Sequence, residues 1–61
     1  MNRPQYLTEK EVAKITSLST SKLQSDRHAN TGFNYFKIGS AVRYDLVEIL
    51  KYMEEHRIVT R

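Results

Sequence analysis

The chain has 61 residues, no cysteine and a net charge of +3. A chain of that length is one domain at most and buries only about 60% of its unfolded surface, so an enclosed substrate cavity has little room to form. Disulfide staples and thiolate metal sites are excluded, and His28 and His56 stand far apart with no further ligand at metal spacing, so neither a metal nor another cofactor is expected. The mild basic excess permits a phosphate-backbone partner without demanding one. No apolar run approaches the roughly 18–20 residues of a membrane span. Met1-Asn2-Arg3-Pro4-Gln5 lacks the apolar segment of a signal peptide, so the expectation is a complete cytoplasmic protein with no membrane partner.

Residues 1–6 read as a short tail, with Tyr6 and Leu7 entering the fold. Thr8-Glu9-Lys10-Glu11 has the spacing of a capping box, in which the Thr8 hydroxyl serves a first-turn amide and the Glu11 carboxylate reaches back to the Thr8 amide. Leu7 stands where a hydrophobic staple would, and Val12 and Ile15 follow three apart. A short amphipathic helix over 9–16 is predicted. Ser17-Leu18-Ser19 breaks the pattern, and Ser19 is a good N-cap for a second helix over 20–28. Thr20-Ser21-Lys22-Leu23-Gln24-Ser25-Asp26-Arg27-His28 carries one apolar residue, Leu23, so most of this helix must face something polar.

Ala29-Asn30-Thr31-Gly32 is turn chemistry, since Asn and Gly tolerate positive φ. Phe33-Asn34-Tyr35-Phe36-Lys37-Ile38, then Gly39-Ser40, then Val42-Arg43-Tyr44 reads as a β-hairpin with strands 35–38 and 42–44. A two-residue loop pairs Ile38 with Ala41 and Lys37 with Val42. A three-residue loop, Gly39-Ser40-Ala41, pairs Ile38 with Val42 and Phe36 with Tyr44. Only the second buries all four apolar residues together, and it is the expected register; Lys37 and Arg43 then share the other face. Asp45 caps the last helix, with Glu48 three residues on. Leu46, Ile49, Leu50 and Met53 give the strongest helical periodicity in the chain, predicting a helix over 46–56 and a frayed tail from Arg57. The expected core is Leu7, Val12, Ile15, Leu18, Leu23, Phe36, Ile38, Val42, Tyr44, Leu46, Ile49, Leu50 and Met53.

The charge is unevenly spread. Between residues 19 and 44, Lys22, Arg27, Lys37 and Arg43 stand against Asp26 alone, while residues 45–61 are net acidic. The basic excess therefore falls on the second helix and the hairpin, among small hydroxyl and amide side chains. Lys and Arg neutralise phosphates and release counterions. Ser, Thr and Gln can meet base edges, Gln most specifically adenine, and the major groove is wide enough for a helix. Thr20, Ser21, Lys22, Gln24 and Ser25 are the candidates for base-edge or nearby phosphate contact. Arg27, Lys37 and Arg43 are candidates for backbone neutralisation, with His28 and Ser40 beside them.

The plainer readings stand next to these. A polar, mildly basic helix is common in proteins that bind no nucleic acid. His28 also fits an ordinary helix-end residue, and His56 one that suits a helix C-terminus. Tyr35 and Tyr44 suit packing better than base stacking. Glu54 and Glu55 are adjacent and read as a solvated face. No nucleophile–base constellation and no phosphate-cradling Gly-rich loop is present, so no enzyme is expected. RNA is disfavoured because no paired aromatics are expected on an open sheet.

Three stretches in order carry a family resemblance: Tyr6-Leu7-Thr8-Glu9-Lys10-Glu11-Val12-Ala13, Leu18-Ser19-Thr20-Ser21-Lys22-Leu23, and Phe36-Lys37-Ile38-Gly39 followed by Val42-Arg43-Tyr44-Asp45-Leu46. Over residues 6–56 the chain resembles the small winged helix-turn-helix proteins of the excisionase and AlpA-type regulator group, relatives of the MerR-type DNA-binding domain. The resemblance implies one mainly α domain spanning 1–61 with a hairpin wing. It implies binding to double-stranded DNA in a bacterial host or its phages, at the nucleoid, with the second helix in the major groove and the wing on the backbone. It also implies excision or transcription control on a prophage or other mobile element, an integrase as partner, and cooperative self-association on DNA. The chain departs from the family pattern in having Ser40 where a basic residue is common, Asn34 where proline is common, and Asp26 at an apolar position. Asp26 leaves the second helix lightly anchored unless it pairs with a neighbour such as Arg43, and an unpaired inward carboxylate is costly. The competing class is a protein-interaction module that binds an integrase, repressor or polymerase subunit.

Overall fold

The computed structural model describes residues 5–60. The elements in chain order are β1 (Tyr6–Leu7), α1 (Glu9–Thr16), α2 (Thr20–His28), β2 (Phe36–Ile38), β3 (Ala41–Asp45) and α3 (Leu46–Glu55). Three helices thus accompany a three-stranded antiparallel sheet in the order β1-β3-β2. The expected N-terminal tail lies, up to Pro4, outside the described residues.

The helix limits follow from their caps. Thr8 and Glu11 form the capping box in both directions, with Glu11 N donating to Thr8 Oγ1 and Thr8 N to Glu11 Oε1. Ser19 accepts from the Lys22 amide, and Asp45 from the Val47 amide. α2 ends in a Schellman motif: Thr31 N donates to Asp26 O and Asn30 N to Arg27 O, with Asn30 left-handed at φ 57°. α3 stops at Glu55, and residues 57–60 continue without regular structure.

The sheet differs from expectation in two ways. Tyr6 and Leu7 form a strand, pairing with Asp45 and Tyr44. The hairpin loop has two residues, not three: Ile38 pairs with Ala41, Lys37 with Val42 and Phe36 with Arg43. Positive φ at Gly39 and not at Ser40 is the type II′ pattern, whose twist matches that of the flanking strands. Lys37 therefore shares a face with Val42, while Arg43 lies on the opposite face with Phe36. Phe36 and Ile38 turn outward, 43% and 72% exposed. Tyr6 joins them there, meeting Phe36 edge-on at 5.4 Å between ring centroids. The expectation that no aromatic pair stands on an open sheet is thus overturned.

The core is built from Leu7, Val12, Leu23, Phe33, Tyr44 and Ile49, with Ala13, Leu18, Val42, Leu46 and Tyr52 packed against it. Phe33, in the loop before β2, takes the volume assigned in sequence to Phe36 and Ile38. Its ring lies 4.6 Å from that of Tyr52 and 6.5 Å from that of Tyr44. Ile15, Leu50 and Met53, expected inside, are exposed. With Ile49 buried and Tyr52 packed beside it, Leu50, about 100° farther round α3, faces solvent, whereas Met53 lies on the side of Ile49 and is exposed one turn farther along the helix.

Asp26 pairs with Lys22 one turn back on its own helix, at 3.0 Å, and not with Arg43. It also bears on the loop, because a Cβ added at Gly32 would come within 2.9 Å of the Asp26 side chain. Gly32 and Gly39 both have positive φ, but a Cβ at Gly39 meets nothing within 4 Å. Gly39→Ala is therefore expected to cost about 1–2 kcal/mol from backbone conformation alone, and Gly32→Ala more. Chemical denaturation of the two variants checks the order; equal losses would mean that the loop does not press on Asp26.

Candidate nucleic-acid interface

α2 leans on the core through Leu23 alone among its fully buried side chains. With 3.6 residues per turn, Ser21, Ser25 and His28 come to the side opposite Leu23, and all three are exposed. Gln24 and Lys22 flank that polar ridge on either side. Thr20, at the first helical position, is half-buried. The outward surface of α2 thus offers hydroxyl, amide and imidazole groups.

The hairpin stands beside the C-terminal end of α2. An open groove is lined there by Arg27 and His28 of α2, Lys37 and Ser40 of the hairpin, and Tyr35 and Val42 beneath. Lys37 reaches it because the two-residue turn sets it on the Val42 side. A second groove, lined in part by Lys10, Ser40 and Arg43, adjoins the first through Arg27, Ser40 and Val42. Arg43 gives one hydrogen bond to the Val42 carbonyl at 2.8 Å. Lys10 is a basic neighbour of the hairpin that the sequence signals placed only in α1; its approach to Ser40 is a tertiary fact without a local signature.

The charges are not all free to meet a ligand. Arg27 Nη1 donates to Glu9 Oε1 at 2.6 Å and to the Tyr44 hydroxyl at 2.7 Å. Its guanidinium also lies 5.8 Å from the centroid of the Tyr35 ring. Gln24 Nε2 donates to the other oxygen of Glu9 at 2.9 Å. Glu9 therefore gathers two of the α2 candidates against the start of α1. Lys22 is neutralised by Asp26. Lys37 and Arg43 make no ion pair among the described residues. The stretch richest in cations thus presents less positive charge than its composition implies.

Comparison with protein-family models, with curated proteins and with solved structures finds no match. Among the described residues, no cluster of three or more His, Cys, Asp or Glu side chains could hold a metal ion. No helix there is long and apolar enough to cross a membrane. His56, at the end of α3, stacks on Tyr52 at 4.0 Å, and its Nδ1 lies 2.8 Å from the Tyr52 carbonyl, away from both grooves.

The Arg27 guanidinium first, then the Gln24 amide, hold the Glu9 carboxyl below its ordinary value of 4.5. Glu11 is lowered as well, chiefly by the Thr8 backbone amide. A depressed carboxyl contributes stability that is complete above the unfolded value and is lost as pH falls through the folded one. The melting temperature should therefore fall on acidification below pH 4.5, and Glu9→Gln should flatten that fall while lowering stability at neutral pH. Thermal unfolding followed between about pH 5 and 3 tests this; parallel curves for the two proteins would remove Glu9 from the account.

Proposed function

We propose that the chain is a winged helix-turn-helix protein that binds double-stranded DNA. α2 enters the major groove and the β2–β3 hairpin lies as a wing on the adjoining backbone. The observation that carries this reading is the groove in which His28, at the end of α2, faces Lys37 and Ser40 of the hairpin. A polar helix ridge continuous with a basic hairpin offers base-edge contacts and phosphate contacts side by side, as duplex recognition requires. Ser21, Gln24 and Ser25 are the proposed base-edge residues, with Thr20 and Lys22 at the rim. Lys37 and Arg43 are the proposed phosphate contacts, with His28 beside Lys37 and Ser40 at the edge shared by the two grooves. Arg27 contributes mainly by fixing α2, since Glu9 offsets its charge.

With Lys37 and Arg43 the cations of residues 19–44 left without an ion pair, and one short helix, a single copy should bind weakly. Useful specificity then needs several copies or a partner on neighbouring sites. That need accords with the resemblance to excisionases and small phage regulators. The proposed role is therefore excision or transcription control on a phage or mobile element, with an integrase as the partner for excision.

A protein-interaction module is the second reading. The open sheet face bearing Tyr6, Phe36 and Ile38, 57%, 43% and 72% exposed, favours it. A salt titration on random-sequence duplex separates the two. Duplex binding should strengthen steeply as salt falls, whereas no salt-dependent binding down to about 50 mM would favour the interaction module.

Lys37→Ala is expected to weaken binding almost equally on all sequences and to lower the salt slope by about 1. Unchanged affinity and slope would mean that the hairpin does not touch the backbone.

A further inference from the structure

Gln24 is the one proposed base-edge residue held by another side chain across a helix boundary. Its Nε2 gives a hydrogen bond to Glu9 Oε2 at 2.9 Å, spanning 15 residues of chain. The other carboxylate oxygen is taken by Arg27 Nη1 at 2.6 Å, and the same nitrogen donates to the Tyr44 hydroxyl at 2.7 Å. Tyr44 is 1% exposed. The outward amide of Gln24 thus stands on a chain of contacts, Glu9 then Arg27 then Tyr44, that ends in the core.

This has a chemical consequence. The oxygen and nitrogen of a free glutamine amide are nearly interchangeable in shape, and on a helix surface the group can present either way round. An ionised carboxylate only accepts hydrogen bonds. Glu9 therefore selects the orientation with Nε2 toward itself, since the reverse would set Gln24 Oε1 against a like-charged oxygen. One amide hydrogen is used on Glu9. With the hydrogen remote from Oε1 given to Glu9, the second hydrogen and Oε1 itself stand as an adjacent donor and acceptor.

That pair matches one base edge in the major groove. Adenine offers a donor at N6 beside an acceptor at N7, whereas guanine offers two acceptors, thymine an acceptor and a methyl, and cytosine a donor alone. We infer that Glu9 is a positioning residue that fixes the Gln24 amide to read an adenine in the major groove. This rests on the duplex-binding reading above and adds to it the base that is read and the residue that sets the reading.

The test begins with selection of duplexes from a random-sequence library by the full chain. The selected duplex is then remade with each adenine in turn replaced by 7-deazaadenine, which lacks N7, or by purine, which lacks the N6 amino group. At one adenine both replacements should weaken wild-type binding about tenfold. Gln24→Ala and Glu9→Ala should each lose about as much affinity for the natural duplex, and at that adenine neither replacement should cost them anything more. Gln24→Ala should bind unrelated duplex within about threefold of wild type, and Glu9→Ala no more weakly than wild type because it frees the Arg27 charge, a separation that a merely unfolded helix would not produce. Glu9→Met keeps the stem without the acceptor and should behave as Glu9→Ala does, should alanine cost too much stability.

If Gln24→Ala is blind to the replacements while Glu9→Ala and Glu9→Met still sense them, Glu9 has no positioning role and the inference falls. It also falls if no adenine in the selected duplex depends on Gln24, although salt-dependent duplex binding would then leave the broader reading intact. A wild-type chain that binds no duplex removes both, and that result appears at the selection step.

Discussion

The structure depends on how one guanidinium is shared. Tyr44 lies at the centre of the sheet, almost wholly buried, and its hydroxyl must find a partner within the protein. Arg27 supplies it and, through the same nitrogen, meets Glu9. One side chain of α2 is thereby tied to the start of α1 and to β3. With six buried apolar side chains among the described residues, packing alone gives α2 little to hold its rotation about Leu23. A half-buried ion pair of this kind adds little net stability, because desolvation offsets much of the attraction. Its contribution here is geometric, since few other poses of α2 would serve both Glu9 and Tyr44.

The same pairing redistributes the charge. Two of the cations between residues 19 and 44 are spent within the fold, Arg27 on Glu9 and Lys22 on Asp26. Lys37 and Arg43 remain, on opposite faces of the hairpin, with Lys10 contributed from α1. A surface of this kind suits weak, additive contact with a polyanion better than tight binding by one copy. Composition puts the basic excess between residues 19 and 44 but overstates the charge presented there.

What could be read from the sequence divides by the range of the interaction. The limits of α1 and α2 were legible because they are set by local chemistry: Thr8 with Glu11, Ser19 with the Lys22 amide, and Asn30 closing the Schellman turn. The polar character of α2 was legible from its single apolar residue. The hairpin register was not, because burial of Phe36 and Ile38 favours the three-residue loop whereas the Gly39 turn imposes two residues. Phe33 carries no core signal in the sequence because it belongs to no periodic segment. Glu9 carried an unmistakable local role in the first turn of α1, and nothing in the sequence marked its second role across 15 and 18 residues.

The hairpin shows how these constraints compete. In the three-residue register, Phe36 and Ile38 would have joined Val42 and Tyr44 on the core face, and Lys37 would have turned away from α2 with Arg43. In the two-residue register, Lys37 lines the groove with His28, and Phe36 and Ile38 are left outside. Because side chains alternate strictly along a strand, one slip moves the whole set and the two arrangements exclude each other. Phe33 and Leu7 supply the apolar volume that β2 withholds from the core, and the Tyr6 edge contact covers part of the exposed Phe36 ring. The apolar outer face is thus the structural counterpart of a lysine placed beside α2. That placement accounts for the exposure of Phe36 and Ile38 without a partner.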